Sequence, residues 1–138
     1  MGYKDTFTSP HVSREDEPPA IGITYLQSKY GLKNFFKKCK KNTACVDVFE
    51  EFIDNFRNLK DIDTALAKYS GAVSKSKDAD SQKILDVIRK KHNIDTSDMI
   101  HVHCKPGGKG AFVLHGFRIR NRFEIVWIDP DHAVHKVD

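Results

Sequence analysis

Histidines are concentrated near the end of this chain, where their spacing suits proton transfer. Six of the seven lie at or after position 92, and two of them follow the last long apolar segment. An imidazole titrates near pH 6.5, so it can donate or accept a proton close to neutral pH. The candidate general acids and bases are His132, His135 and His115.

Basic residues accompany these histidines in segments that contain no carboxylate. The segment from Met99 to Phe123 lacks Asp and Glu, and so does the lysine-rich segment from Pro18 to Val46. Positive charge without compensating acids attracts polyanions, of which RNA is an abundant example. The predicted nucleic-acid-binding residues are Lys37, Lys38, Lys40, Lys41, Lys105, Lys109, Arg118, Arg120 and Arg122.

These residue types match the needs of metal-independent RNA cleavage. A base takes the 2′-hydroxyl proton, an acid protonates the leaving 5′-oxygen, and cations hold the phosphate as its charge develops. Arg118 and Arg120 are two apart, so a strand would place both on one face, where each can grip two phosphate oxygens. Neutralising about five phosphates predicts a log–log salt slope of about −3.5 to −4.5 for binding.

A zinc site is an alternative use of the same histidines. His101 and His103 alternate on a predicted strand, while His132 and His135 lie beyond it, with Cys104 or Asp131 as further ligands. Four imidazoles brought together could bind zinc. The spacing lacks a double-cysteine motif, so no metal ligand and no cofactor is assigned.

Hydrophobic periodicity divides the chain into three parts. Residues 1–18 are polar and proline-containing, which predicts a flexible arm. Residues 19–138 are expected to form a single α+β domain, with a helical part at 19–93 and an antiparallel sheet part at 99–137. The helical part is predicted to begin with a short helix from Ala20 to Tyr30, followed by amphipathic helices.

The sheet part is predicted to hold three or four strands. Apolar residues change phase around Gly116, which indicates a β-bulge that could bring His115 to the arginines; without it His115 belongs to the core. A hairpin turn is expected at Asn121-Arg122, and Phe123 to Ile128 should be a central strand. A brief last strand is expected from Ala133 to Val137. The predicted fold is α+β, with the N-terminal helices packed on one face of the sheet.

Composition limits the class of protein. The chain has 138 residues, a net charge of +4 and three cysteines, which predicts one domain without a disulfide framework. No apolar run is long enough to span a membrane and no signal peptide is visible, so a cytoplasmic location without a membrane partner is expected.

The segment from Gly116 to Lys136 resembles the closing part of small uncharacterised prokaryotic proteins that end in W-x-D-P-x-H, here Trp127 to His132. Its order of helices, basic strands and a late histidine also loosely resembles RelE-type toxins. That resemblance implies a small bacterial ribonuclease that cleaves mRNA.

The leading hypothesis from the sequence is therefore that a basic face of the sheet, together with the lysine-rich helix, binds RNA or another polyanion, as in a small bacterial toxin-like ribonuclease that needs no metal. One alternative is a non-catalytic interaction module of phage or host-defence type that presents its basic face to an acidic protein partner. A second alternative is a histidine-rich zinc-binding protein.

Overall fold

The computed structural model describes residues 17–41, 43–70, 79–107 and 109–131. Four helices and four strands lie in these ranges. In chain order they are β1 (Ala20–Gly22), α1 (Leu32–Lys41), α2 (Ala44–Arg57), α3 (Ile62–Ser70), α4 (Ala79–His92), β2 (Ile100–Lys105), β3 (Lys109–Ile119) and β4 (Arg122–Asp129). Residues 1–16 of the predicted arm and the predicted strand at 133–137 lie outside the described residues.

The strands form one sheet in the order β1-β4-β3-β2. β2, β3 and β4 are antiparallel neighbours, whereas β1 pairs with β4 in parallel. The predicted α+β class is therefore confirmed, with the helices preceding three of the four strands. The sheet is mixed, because the segment predicted as a helix from Ala20 to Tyr30 begins instead with β1.

The helices form where the apolar spacing predicts them. In α2, Phe52 and Phe56 are one turn apart and fully buried, while the acids at 47, 50, 51 and 54 remain outside the core. The first turn of α3 is capped by Asp61, whose Oδ1 accepts a hydrogen bond from the Thr64 amide at 2.8 Å. That hydrogen bond lowers the pKa of the Asp61 carboxyl.

Helices pack on both faces of the sheet. On the first face, side chains of α1, α2 and α3 pack against one set of strand residues that includes Val102, Leu114 and Ile128. On the second face, Leu85 and Ile88 of α4 pack against a second set of residues that includes Phe117 and Val126. The predicted arrangement, with helices on one face, thus holds for α1 to α3, and α4 covers part of the opposite face. This explains why β4 is apolar on both sides.

A β-bulge sets the side-chain directions in β4. His115 pairs with Trp127 and Gly116 pairs with Ile125, so Val126 is an extra residue. The predicted phase change near Gly116 is found, but the additional residue lies on the partner strand. Because of it, Val126 and Trp127 pack in the second-face core, while Ile125 and Ile128 pack in the first-face core.

The turn between β3 and β4 is shifted by one residue from the prediction. Ile119 pairs with Arg122, so Arg120 and Asn121 form the turn instead of Asn121 and Arg122. Arg120 takes the left-handed conformation, with φ of 54°. The amide Nδ2 of Asn121 donates to the Pro18 carbonyl at 2.9 Å, which ties the turn to the chain just before β1.

Candidate nucleic-acid interface

Helix α1 carries a continuous cationic surface. Phe35 and Cys39 face the core, and the helix contains no acidic residue. Positions three and four apart share a face, so the outward stripe consists of lysines interrupted by one aromatic ring, Phe36, which is 59% exposed. The exposed lysines of this stripe and its edge are Lys33, Lys37, Lys40 and Lys41. We call these four lysines with Phe36 the α1 surface.

The exposure of Phe36 was not expected from the sequence. Leu32, Phe35, Phe36 and Cys39 all fit one apolar stripe. Only Phe35 and Cys39 are buried, because the α1 stripe is wider than the contact it makes with the core. The ring of Phe35 packs on Phe49 and Phe112, at centroid distances of 5.2 and 5.7 Å. An apolar stripe with more residues than a short helix can bury, flanked by lysines, is the sequence signal that could have identified Phe36 as exposed.

Lys38 differs from the other lysines of α1. Its Nζ lies 2.6 Å from the Asp131 carboxylate, and both side chains remain partly exposed. The hydrogen bond and the charge of Asp131 raise the pKa of the Lys38 ammonium. Lys38 was predicted to bind nucleic acid, but its charge is offset locally, so it contributes less to an anion site than its neighbours.

The α1 surface lies at one end of the sheet, beside the end of β4. The Ile128 amide donates to the Tyr30 carbonyl at 2.7 Å, two residues before α1 begins. Since β3 runs antiparallel to β4, the turn between β2 and β3 belongs to the same end. Lys105 is exposed there, and the Gly107 amide donates to the Lys68 carbonyl at 2.7 Å. The side chain of Lys109 lies outside the described residues.

The predicted arginines lie at the opposite end of the sheet. Arg118, Arg120 and Arg122 surround the β3–β4 turn, and β4 separates this turn from α1 by about 23 Å along its length. Arg118 and Arg120 do not share a strand face, because Arg120 is in the turn. These three arginines therefore do not form a single patch with the lysines of α1.

Two of these arginines contact carboxylates. Nη1 of Arg118 lies 2.5 Å from Oδ1 of Asp63 in α3, on the first face of the sheet. Nε of Arg122 lies 3.3 Å from Oε2 of Glu124, which is buried. Burial raises the pKa of the Glu124 carboxyl, and Arg122 and a hydrogen bond from the Thr24 backbone oppose that rise.

The described histidines of the sheet lie together on the second face. The ring centroids of His101 and His103 are 5.5 Å apart, and those of His101 and His115 are 6.1 Å apart. His101 and His103 are half-buried, whereas His115 has 0% of its surface exposed. Nε2 of His115 is 3.8 Å from Oδ2 of the buried Asp129, which is beyond hydrogen-bonding distance.

His115 is therefore not placed to touch a polynucleotide. It lies on the face opposite Arg118, because residues three apart on a strand point to opposite sides. The bulge does not bring the two together, so His115 belongs to the interior, as the sequence predicts for a histidine on the opposite face. His132 and His135 lie outside the described residues, and their proposed roles stay predictions.

Within the described ranges, no group of three or more His, Cys, Asp or Glu side chains could hold a metal ion. Cys104 cannot join His101 and His103, because it packs into the first-face core while they lie on the second face. Burial raises the pKa of the Cys104 thiol well above its usual value, which keeps it protonated. None of the described helices is both long enough and apolar enough to cross a bilayer.

No protein-family model, curated protein or solved structure matches this chain. The resemblance to RelE-type toxins therefore remains a prediction from the sequence.

Proposed function

We propose that the protein binds single-stranded RNA through the α1 surface, with Lys105 at the same end of the sheet as a secondary contact. The observation that carries this proposal is the exposed ring of Phe36 among Lys33, Lys37 and Lys40. Lysines contact phosphates without regard to sequence, while an aromatic ring offers a stacking platform for an unpaired base. The combination suits a single strand, whose bases are available for stacking.

The geometry narrows the footprint predicted from the sequence. The proposed contact excludes Arg118 and Arg122, because each is close to a carboxylate and both lie at the far end of the sheet. Four lysines remain on α1, and each neutralised phosphate contributes about −0.7 to the log–log salt slope for a single strand. The slope expected from the α1 surface is thus about −2.8.

Ribonuclease activity is the catalytic extension of this proposal. His132 and His135 remain the candidate acid and base. The half-buried imidazoles of His101 and His103, whose centroids are 5.5 Å apart on the second face, are a further candidate pair. A cytoplasmic location, where mRNA is abundant, belongs to the same proposal. If the α1 surface instead binds an acidic protein, its lysines matter and stacking on Phe36 does not.

Binding of a fluorescently labelled RNA octamer between 50 and 200 mM salt tests the proposal. The wild-type affinity should fall about 50-fold over this range, and that of K37Q/K40Q about sevenfold, because its slope is halved to about −1.4. Phe36→Ala should weaken binding at least about fivefold without changing the slope, because it removes a stacking contact and no charge.

The matched control is K90Q/K91Q, which removes two exposed lysines from the end of α4. It should bind RNA with nearly the wild-type affinity and slope. Equal weakening by both double variants would show that only net charge matters and would overturn the proposal. An unchanged affinity of Phe36→Ala would exclude base stacking and favour an acidic protein as the partner.

A further inference from the structure

A cavity of about 310 Å³ lies next to the start of α1, between the segment before that helix, the first turns of α4 and β4. Tyr30 and Trp127 form its aromatic wall, and Ile84 and Val87 of α4 form its aliphatic wall. Its volume lies at the lower end of the range of about 300 to 1,000 Å³ typical of small-molecule sites. The cavity therefore suits one small ligand with a planar apolar part.

The backbone at Tyr30 is held in a strained conformation beside this cavity. Tyr30 has φ of 58°, which is unusual for a residue with a side chain. Two hydrogen bonds fix the segment along β4, from the Gln27 amide to the Val126 carbonyl at 3.0 Å and from the Ile128 amide to the Tyr30 carbonyl at 2.7 Å. Strain of this kind concentrates at binding sites, where the surrounding structure maintains it.

The aromatic wall is preformed. The rings of Tyr30 and Trp127 meet edge to face, with centroids 6.3 Å apart. Trp127 is mostly buried and packs with Leu85 and Ile88, so it is rigidly placed. A planar ligand entering the cavity would meet fixed aromatic surface, which lowers the entropy lost on binding.

Charged groups line the same cavity. Lys29 and Lys83 provide two ammonium groups, and Nζ of Lys29 lies 5.5 Å from the centroid of the Tyr30 ring. Asp80 provides one carboxylate, which can accept hydrogen bonds from an amine or a hydroxyl group. Two cations favour a dianionic group such as a phosphate monoester over a singly charged carboxylate.

We infer that this cavity binds a nucleotide, with the base against Tyr30, the phosphate near Lys29 and Lys83, and a ribose hydroxyl or base amine at Asp80. Such a nucleotide is either free or the phosphorylated end of an RNA strand, because the chain passes directly from Tyr30 into α1. The strand-end form rests on the proposed function, whereas the free-nucleotide form does not.

The single tryptophan of the chain, Trp127, reports on this cavity. Titration with adenosine monophosphate should change its fluorescence, and calorimetry should give the same Kd. Lys83→Gln should weaken binding about tenfold or more, since it removes a charged contact to the phosphate. Val87→Phe should block binding by filling the cavity, and it should fold normally because Val87 is 51% exposed. Lys90→Gln, on the same helix outside the cavity, should leave the Kd unchanged.

Three further ligands identify the source and the chemistry. Adenosine without phosphate should bind at least about tenfold more weakly than its monophosphate. If Val87→Phe weakens binding of a 5′-phosphorylated RNA octamer but not of its 5′-hydroxyl form, the ligand is the end of an RNA strand. If only the mononucleotide binds in the cavity, the ligand is a free nucleotide. The inference is overturned if neither phosphorylated ligand binds at millimolar concentration by fluorescence or calorimetry, or if Val87→Phe binds like wild type.

The variants separate this inference from the proposed function. Val87→Phe should leave the salt slope for binding of the 5′-hydroxyl RNA octamer unchanged, because it alters no lysine of the α1 surface. Loss of RNA binding in K37Q/K40Q with no nucleotide in the cavity would sustain the proposed function and remove the inference. If a nucleotide binds in the cavity but the protein has no affinity for RNA, the inference stands and the proposed function is wrong.

Discussion

Replacing Gly116 with alanine should strongly destabilise the protein. Gly116 lies on β3 opposite Ile125, at the register shift created by the bulge in β4. A Cβ atom at this position would lie 2.2 Å from the Glu124 carbonyl oxygen and 2.9 Å from Cζ of Phe123. The first of these neighbours is backbone, so a side-chain rotation cannot relieve the clash.

The cost follows from the displacement needed. Ordinary contact begins at 3.4 Å, so β4 must move away from β3 by 1.2 Å locally (3.4 minus 2.2). A shift of that size lengthens a ladder hydrogen bond of about 2.9 Å to roughly 4 Å, which breaks it. Overpacking costs about 1 to 3 kcal/mol, and each lost hydrogen bond adds about 1 kcal/mol. We expect Gly116→Ala to lower the free energy of unfolding by about 2 to 5 kcal/mol.

Urea denaturation followed by circular dichroism measures this loss. Gly110→Ala is the matched control, because its Cβ would meet only the flexible side chain of Lys105, at 3.4 Å or more. Gly110 has φ of 87°, so this control carries a conformational cost of about 1 to 2 kcal/mol. If Gly116→Ala is no more destabilising than Gly110→Ala, the register is wrong, and the placement of His115 and Trp127 on one face fails with it.

Two further predictions concern buried charge and catalysis. Because burial raises the pKa of Glu124 above its ordinary value of 4.5, the folded protein holds this proton more tightly than the unfolded chain, and stability should fall as pH rises through that window. The unfolding free energy of Glu124→Gln should therefore increase relative to that of the wild type as pH rises from 4 to 8. The increase should be about 1.4 kcal/mol for each unit by which burial raises the pKa of Glu124. A relative decrease would contradict this prediction. Cleavage of single-stranded RNA should persist in a chelator and decrease about 100-fold or more in H132A/H135A, whereas loss in the chelator would favour the zinc hypothesis.

Much of the fold was predictable because the apolar periods are strong. The spacing of Phe49, Phe52 and Phe56 favours a helix, and the run from Phe123 to Ile128, apolar except for Glu124, predicts a central strand. These patterns involve residues that are close in sequence, so they can be recognised without knowledge of the fold. The α+β class follows from their order. The packing of α4 on the second face was not predicted.

The remaining errors arise from contacts between distant segments. β1 has only three residues, and it is a strand because β4 offers it a parallel partner, which no local pattern reveals. Regular alternation would place Phe123, Ile125 and Trp127 on one face, but the extra residue Val126 moves Trp127 to the other. Likewise, the paired carboxylate of Arg118 comes from Asp63, 55 positions earlier. Charge counts along the sequence therefore overestimate the cationic patch.

The distribution of charge on neighbouring helices argues for a short RNA footprint. α1 bears the exposed lysines, whereas α2, which follows it directly, bears exposed acids at 47, 50, 51 and 54. The acids of α2 repel a polyanion, so the main contact of the proposed RNA strand is α1. Ten helical residues extend about 15 Å, which accommodates about four stacked nucleotides at 3.4 Å each. A salt slope of about −2.8 corresponds to four phosphates that contact four lysines. A much steeper slope would mean that the RNA also contacts cations outside α1.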